Sequence, residues 1–357
     1  MVDGLVADVL ESETIVDTDV HLSVPEEELA KYVNTPYDDW LRAPDIQLKS
    51  PEWDPTMGGK VESRNLLTPE QLQEEVCNAL HVDYPLLNVF RNLSRLSQTD
   101  AAVELMRGSN DLLLDQFLDE GDFLGLATVA TQKPNLAAEE LDRVADHKGI
   151  VGVFIPTTGP TPPLGDPEYD VLYEAIQDHG LTPVYHGATN SGFDVGFPKY
   201  NQAFEKFFTA HINAHLWSQA MTLTSIIAHG VPEKFPDLDF VFLEAGIGWV
   251  PYMMFRLNKE AAMRRSEVPL LEKQPEEYIR ERMYFASQPL GEPINGEHMQ
   301  SLLDIVGTDS LLFASDYPHW DFDHPSELAT HLRARFDAAE RSKVLSENAT
   351  EVFDLPI

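Results

Sequence analysis

Apolar and polar positions alternate along this chain on two length scales. Short runs rich in β-branched and aromatic residues recur at Thr14–Leu22 (TIVDTDVHL), His81–Phe90, Phe123–Ala130 and Gly149–Thr157. Four more follow at Leu181–Ala188, Asp239–Gly246, Arg282–Leu290 and Leu311–His319. Runs of this length and composition predict strands. Between them lie longer segments with apolar residues at helical spacing. The clearest is Asp100–Glu120, with Leu112, Leu113, Phe117 and Leu118; Ala137–His147, Glu168–His179, Asn201–Ala228 and Met299–Val306 follow the same period. Gly149, Gly180, Gly230 and Gly307 stand near the ends of four of these segments, where helices commonly stop. Strands alternating with helices eight times predict an α/β fold of the (β/α)₈ TIM-barrel type, built as one domain over residues 1–357. An open doubly wound sheet that bound a dinucleotide would carry a Gly-rich turn after its first strand. Here HLSVPEEEL follows, with no glycine. The alternation breaks over about residues 23–75. That stretch is punctuated by proline from Pro25 to Pro69 and holds Trp40, Trp53 and Gly58-Gly59, which predicts an insertion or lid after the first strand.

In such a barrel the chemistry sits at the C-terminal ends of the strands. The first strand ends in Asp19-Val20-His21, the fifth in His186, the sixth in Glu244 and the seventh in Gln288. The eighth ends in Asp316, with His319 three residues on. Residues two apart on a strand point to one side, so Asp19 and His21 face together. With His186 and Asp316 they make a set of two carboxylates and two imidazoles, which suits Zn²⁺, Mn²⁺ or Fe²⁺. A single histidine in an apolar strand is usually a core residue, and an aspartate before a turn is usually a cap. The weight lies in four such residues at three strand ends. His211 and His215 are four apart on one helical face, a spacing able to bind metal. With no second motif nearby they read as structural or substrate-facing. His215, Gln288 and Trp249 are taken as substrate contacts, with Trp320 as a further wall of the pocket. His229 reads as a helix C-terminal residue.

The segments DTDVH, PVYHG, HGVPEKFPDLDFVFLEAGIGWVP, FASDYPHWD and SENATEVFDL resemble the amidohydrolase superfamily. Within it they are most similar to the amidohydrolase-related subgroup that includes aminocarboxymuconate semialdehyde decarboxylase, from Val16 to Leu355. The resemblance implies a barrel holding one divalent metal ion, Zn or Mn, on Asp19, His21, His186 and Asp316, with Asp316 also moving protons. Glu244 and His319 would join Asp316 as catalytic residues. The fourth run, GIVGVFIPT, ends without a Lys, Glu or Cys to bridge two metals, so a mononuclear centre is expected. The chain departs from the pattern where Asp19 replaces the first histidine of a His-x-His pair, and where Glu244 replaces the histidine on the sixth strand. A carboxylate can move a proton but cannot stabilise negative charge as imidazolium does. The implied activity is non-oxidative decarboxylation of a small organic or aromatic acid. Metal-dependent hydrolysis of an ester, amide or lactone stays open beside it, and a non-catalytic ligand-binding barrel is a third reading. Retention of all four metal residues argues against the third.

Composition removes other classes. There are 60 Asp+Glu against 25 Lys+Arg, a formal net charge of -35, which excludes binding driven by nucleic-acid phosphates and disfavours anionic membranes. A hydrophobic content of 43% with 18 Phe, 11 Tyr and 5 Trp excludes a disordered acidic chain. The acidity therefore belongs to a folded surface, with Glu26-Glu27-Glu28, Glu139-Glu140 and Glu276-Glu277 read as solvated outer-helix positions. Self-repulsion on this scale needs screening counter-ions, as in a halophile. Cys77 is the sole cysteine, so no intrachain disulfide forms, and a reducing cytoplasm is expected. It lies in a helical pattern (EEVCNAL) and reads as buried. The N-terminus lacks the basic region of a secretory signal, and no apolar run approaches a membrane span. Neither a G-x-S-x-G elbow nor a P-loop occurs. The partner expected is a small-molecule substrate, and a homodimer is allowed.

Overall fold

The computed structural model describes residues 13–22, 24–42, 68–89, 93–119, 123–187 and 207–357. Residues 43–67, about half of the predicted lid and including Trp53 and Gly58-Gly59, lie outside the described residues. Every predicted run carries a strand: β1 (Val16–His21), β2 (Tyr84–Asn88), β3 (Leu124–Thr128) and β4 (Ile150–Pro156). β5 (Thr182–His186), β6 (Phe240–Leu243), β7 (Met283–Ala286) and β8 (Leu311–Leu312) complete the sheet. Neighbours pair in sequence order, all parallel. β1 then closes on the segment after β8. Thr18 N–H donates to Phe313 O (3.1 Å), His21 N–H to Tyr317 O (2.8 Å) and Asp316 N–H to Asp19 O (3.0 Å). The same seam ties the two ends of the chain together at the very residues expected to carry chemistry.

Apolar side chains fill two layers. Val16, Leu86, Leu126, Phe154, Val184, Val241, Leu243 and Leu312 pack inside the barrel. Val352, Phe353 and Leu355 join them from the terminal helical turn, Asn348–Val352. Thr182, the first residue of β5, bonds Val352 O, so this plug sits at the N-terminal mouth and leaves the other mouth open. The larger layer lies between sheet and helices. Its helices are α1 (Thr99–Leu113), α2 (Pro134–Val144), α3 (Asp170–Asp178), α4 (Phe207–Ala228), α5 (Val250–Met263), α6 (Pro275–Arg282), α7 (Gly296–Val306) and α8 (Pro325–Arg335). Helices α5, α6 and α8 are absent from the sequence expectation. Exposed Tyr252, Phe255 and Met263 blur the apolar period of α5, and Pro251 lies in its first turn. Residues 201–206 of the predicted Asn201–Ala228 helix lie outside the described residues.

Two expectations about charge and burial are corrected here. Glu139 is exposed, but Glu140 is only 2% exposed. Its carboxylate accepts from Asn110 Nδ2 (2.9 Å), Arg143 Nε (2.9 Å) and Arg143 Nη2 (2.7 Å). Asn110 in turn brackets the Thr128 peptide through both its amide atoms, so this network pins α1 and α2 to the end of β3. Cys77 is half-buried, with burial, Asp83 and Asp17 pushing its thiol up to about 11, which makes it inert as a nucleophile. Among the described residues no helix is long and apolar enough to cross a membrane.

The acidic excess makes a direct expectation about salt. Lowering KCl from about 2 M to about 0.05 M lengthens the screening distance several-fold and should lower the melting temperature by about 10 °C. Differential scanning calorimetry across that range checks it; an unchanged midpoint would sink the halophile reading.

Candidate active site

β1 reaches the open mouth through a bulge. Val16 packs inside the barrel and Val20 in the outer layer, which strict alternation forbids for residues four apart. The register shift between Asp17 and Val20 reverses the alternation and turns Asp19 and His21 inward. Asp17 stays behind the sheet, where its Oδ1 accepts from the backbone N–H of Asp19 (3.2 Å) and of Ser315 (2.9 Å). It thus fastens the Asp19 strand to the Asp316 turn. Burial pushes the Asp17 carboxyl up to about 7.

The other carboxylates arrive by a different device. Glu244 and Asp316 have φ of 55° and 64°, left-handed conformations that non-glycine residues rarely adopt. Each follows the end of a short strand, so the turn swings the side chain across the mouth. Asp316 Oδ1 lies 2.9 Å from His21 Nε2 and 2.6 Å from His319 Nδ1, and its Oδ2 accepts from Gln288 Nε2 (3.2 Å). Asp19 Oδ1 accepts from Asn88 Nδ2 (2.9 Å) and lies 3.2 Å from His21 Nε2. His186 Nε2 is 3.3 Å from Asp19 Oδ2 and 3.0 Å from Glu244 Oε2. Its Nδ1 lies 2.6 Å from Gly187 O, a contact that puts the ring proton on Nδ1 and leaves Nε2 to bind a cation.

Helix α4 supplies the remaining wall. Fully buried Gln219 donates from Nε2 to both Tyr185 O (2.9 Å) and Leu243 O (2.7 Å), pinning α4 across the ends of β5 and β6. One turn earlier His215 Nε2 lies 3.4 Å from Glu244 Oε1, and one turn further His211 Nε2 lies 3.6 Å from Asp321 Oδ2. The approach is close enough that a Cβ on Gly187 would sit 2.7 Å from His215 Cδ2, which accounts for glycine in PVYHG.

Asp19, His21, His186 and Asp316 are all buried and offer ligand atoms within 4.8 Å of one another. Asp19 Oδ2 is buried without a hydrogen-bond partner, an expensive state in a low-dielectric interior. Two carboxylates and two imidazoles converging on one point fit one divalent cation, which would satisfy that oxygen. With protons in place of a cation, electrostatics point the same way. Burial opposes charge on His21, but Asp19 and Asp316 outweigh it and hold the imidazole at about 9. His186 is likewise held well above its ordinary value, against its burial, by Asp19 and Glu244. Glu244 stays well below the usual carboxylate range despite burial, because His215 and His186 face it. Burial pushes His215 down to about 4.

The structure thus gathers Asp19, His21, His186, Glu244, Asp316, His319, His215 and Gln288 at one mouth. Gln288 already spends its amide on Asp316, so it positions that carboxylate. Trp249 is the correction. Its ring packs edge-on against Phe242 and Phe285 in the outer apolar layer and its Nε1 donates to Gly246 O, so it is a core residue rather than a pocket wall. Sequence reasoning missed Asn88 and Asp321. A polar residue closing the apolar LLN run was the available signal for the first.

The amidohydrolase family profile matches residues 16–355. Gamma-resorcylate decarboxylase of Rhizobium sp. strain MTP-10005 is 26% identical over 273 residues, covering 71% of this chain and 77% of that protein. The crystal structure of 5-carboxyvanillate decarboxylase from Sphingomonas paucimobilis superposes with a TM-score of 0.70 at 20% identity, covering 96% of this chain and 99% of the other. Dihydroxybenzoic acid decarboxylase from Polaromonas sp. JS666, solved with manganese and 2-nitroresorcinol, gives 0.69 at 18% identity, covering 97% and 98%. With its barrel closed and its strand-end ligands converged, the chain belongs to the amidohydrolase family.

Proposed function

We propose that this protein is a metal-dependent carboxy-lyase that removes CO₂ without oxidation from a small hydroxylated aromatic acid. The observation that carries the reading is the position of Asp316. It is fully buried beside the cation-binding cluster, yet its Oδ1 contacts His319, whose side chain is 28% exposed. Loss of CO₂ leaves an electron pair on the ring carbon, which must take up a proton. Asp316 is placed to hold that proton and hand it over, and His319 to replace it from solvent. Gln288 keeps Asp316 Oδ2 aimed. Glu244 stands on the other side of His186 as the second carboxylate bracketing the substrate position. A bound divalent cation, manganese as in the Polaromonas relative or zinc, supplies Lewis-acid polarisation of substrate oxygens.

The names of the relatives support this substrate class. The deciding experiment is CO₂ release from 2,6-dihydroxybenzoate and 5-carboxyvanillate by Mn²⁺-loaded protein, run beside ester, amide and lactone panels. Turnover with CO₂ release is expected. Ester or lactone hydrolysis without CO₂ release would replace the decarboxylase reading with the hydrolase one. The same proposal includes a homodimer in the cytoplasm. Exposed Tyr252 and Phe255 on α5 offer apolar surface of the kind subunits cover, and a single cysteine suits a reducing compartment. Light scattering on the purified protein tests the dimer.

A further inference from the structure

The bond from Gln288 to Asp316 uses only one end of the Gln288 amide. We propose that the other end, Oε1, accepts a hydrogen bond from a hydroxyl ortho to the departing carboxylate. Gln288 then selects ortho-hydroxylated acids and sets their reacting carbon beside Asp316. The inference rests on the decarboxylase reading for its substrate class and narrows that class to one substitution pattern.

Three observations carry the proposal. The first is direction. Phe285 packs in the outer layer and Ala286 inside the barrel, so alternation carries Gln288 inward at the open mouth. A carboxylate oxygen only accepts, so the Asp316 contact fixes which way the amide lies: Nε2 donates to Oδ2 and Oε1 faces away from it. The second is an unmet need. Gln288 is only 1% exposed, and among the described residues its Oε1 is buried with no hydrogen-bond donor. A buried carbonyl in that state is costly, and a ligand that donates relieves the cost. An amide oxygen has no proton to give and no positive charge. It therefore takes a hydroxyl and refuses a carboxylate, an ether or a halogen at the same place.

The third is rigidity. Gln288 O accepts from Gly246 N–H (3.0 Å), and a Cβ on Gly246 would meet Pro289 O at 2.6 Å. The segment after β7 is thus packed hard against the turn after β6. Leu290 N–H donates to Asp323 Oδ2 (2.6 Å), which fastens the same segment to the loop that follows Asp316. One fixed amide then spans the proton carrier and the substrate hydroxyl. In an ortho-hydroxy acid the carbon bearing the hydroxyl is bonded to the carbon that loses CO₂. Holding the first places the second within reach of Asp316.

The test uses full-length protein saturated with Mn²⁺ and two ligands that cannot lose CO₂. In 2-nitroresorcinol a nitro group stands for the carboxylate and a hydroxyl flanks it on each side. In 3-fluoro-2-nitrophenol one of those hydroxyls is fluorine, which donates nothing. Calorimetry should give a dissociation constant about 10-fold tighter for 2-nitroresorcinol. Gln288→Met should shrink that gap to less than about 3-fold with Mn²⁺ still bound. A side chain that only supported packing would weaken both ligands alike and leave the gap. Equal binding by the unaltered protein overturns the proposal, and so does a gap that survives the substitution. Loss of Mn²⁺ from the variant would make Oε1 a metal ligand and also overturn it. Gln288→Leu takes its place if Gln288→Met does not fold. The preference is read without turnover, so its presence alongside failed CO₂ release from every acid would remove the decarboxylase reading and leave hydroxyl recognition by Gln288 standing.

Discussion

Replacing Asp316 with Asn is expected to lower kcat for CO₂ release by about 10²–10⁴-fold at saturating Mn²⁺, the span over which a positioned acid–base group acts. Asn has the shape of Asp and fits the same turn, where φ is 64° and the side chain is fully buried between His21, His319 and Gln288. An amide cannot deliver a proton to carbon, so the chemical step suffers while packing does not. Thermal unfolding should move little. Metal content, measured on the same sample, separates loss of a ligand charge from loss of the proton carrier. A fall in kcat of less than about 10-fold with the ion still bound would take Asp316 out of the proton path. His319→Gln offers the companion measurement, because it cuts the link to solvent without touching the carboxylate. It should slow turnover less than Asp316→Asn and leave metal content unchanged.

The barrel was legible because every strand in a closed parallel sheet is covered on both faces, and each therefore appears as a short, nearly continuous apolar run. The strand ends were less so. β8 is Leu311–Leu312 alone, four residues short of Asp316, because the chain there leaves the ladder for a turn that binds back to β1. Period-two alternation puts Asp19 and His21 on one side, as the strand shows. It could not say that the side faces inward, since that depends on a bulge set by pairing with β2. The left-handed residues themselves, Glu244 and Asp316, are not glycines, so their conformation is not announced by residue type.

Charge misled in a consistent way. Glu139-Glu140 reads as a solvated pair because a buried carboxylate and an exposed one share the same letter. What buries Glu140 is Asn110, thirty residues upstream, together with Arg143. Asp321 gives no signal for the same reason, and His211 reads only as structural or substrate-facing: the two meet across about a hundred residues, through the fold alone. The sequence offers Trp249 as a substrate contact. The tight turn at Gly246 instead sends it behind the sheet against Phe242 and Phe285.

Affinity of the first centre for metal should rise steeply with pH, and this follows from which groups hold protons when the ion is absent. Asp19 and Asp316 keep His21 charged up to about 9, and Asp19 with Glu244 keep His186 charged well above its ordinary range. At neutral pH the metal-free cluster therefore carries protons on both imidazoles, and each must leave before its nitrogen can bind an ion. Binding then releases about two protons, and the apparent Kd for Mn²⁺ should tighten by about 10²-fold per pH unit, or about 10⁴-fold from pH 6 to pH 8. The metal-free fold runs the other way. Raised imidazole values stabilise it fully below their ordinary range, and that stabilisation is lost as pH rises through about 9. Metal-free protein should thus melt lower at pH 9.5 than at pH 7, while loaded protein should not. Calorimetric titration in two buffers of different ionisation enthalpy counts the protons directly. A Kd that stays flat between pH 6 and pH 8 would mean that the imidazoles are neutral before the ion arrives. His215 gives an internal contrast, because burial pushes it down to about 4 and it has no proton to lose in this range. The pH dependence should therefore belong to the Asp19–His21–His186–Asp316 centre.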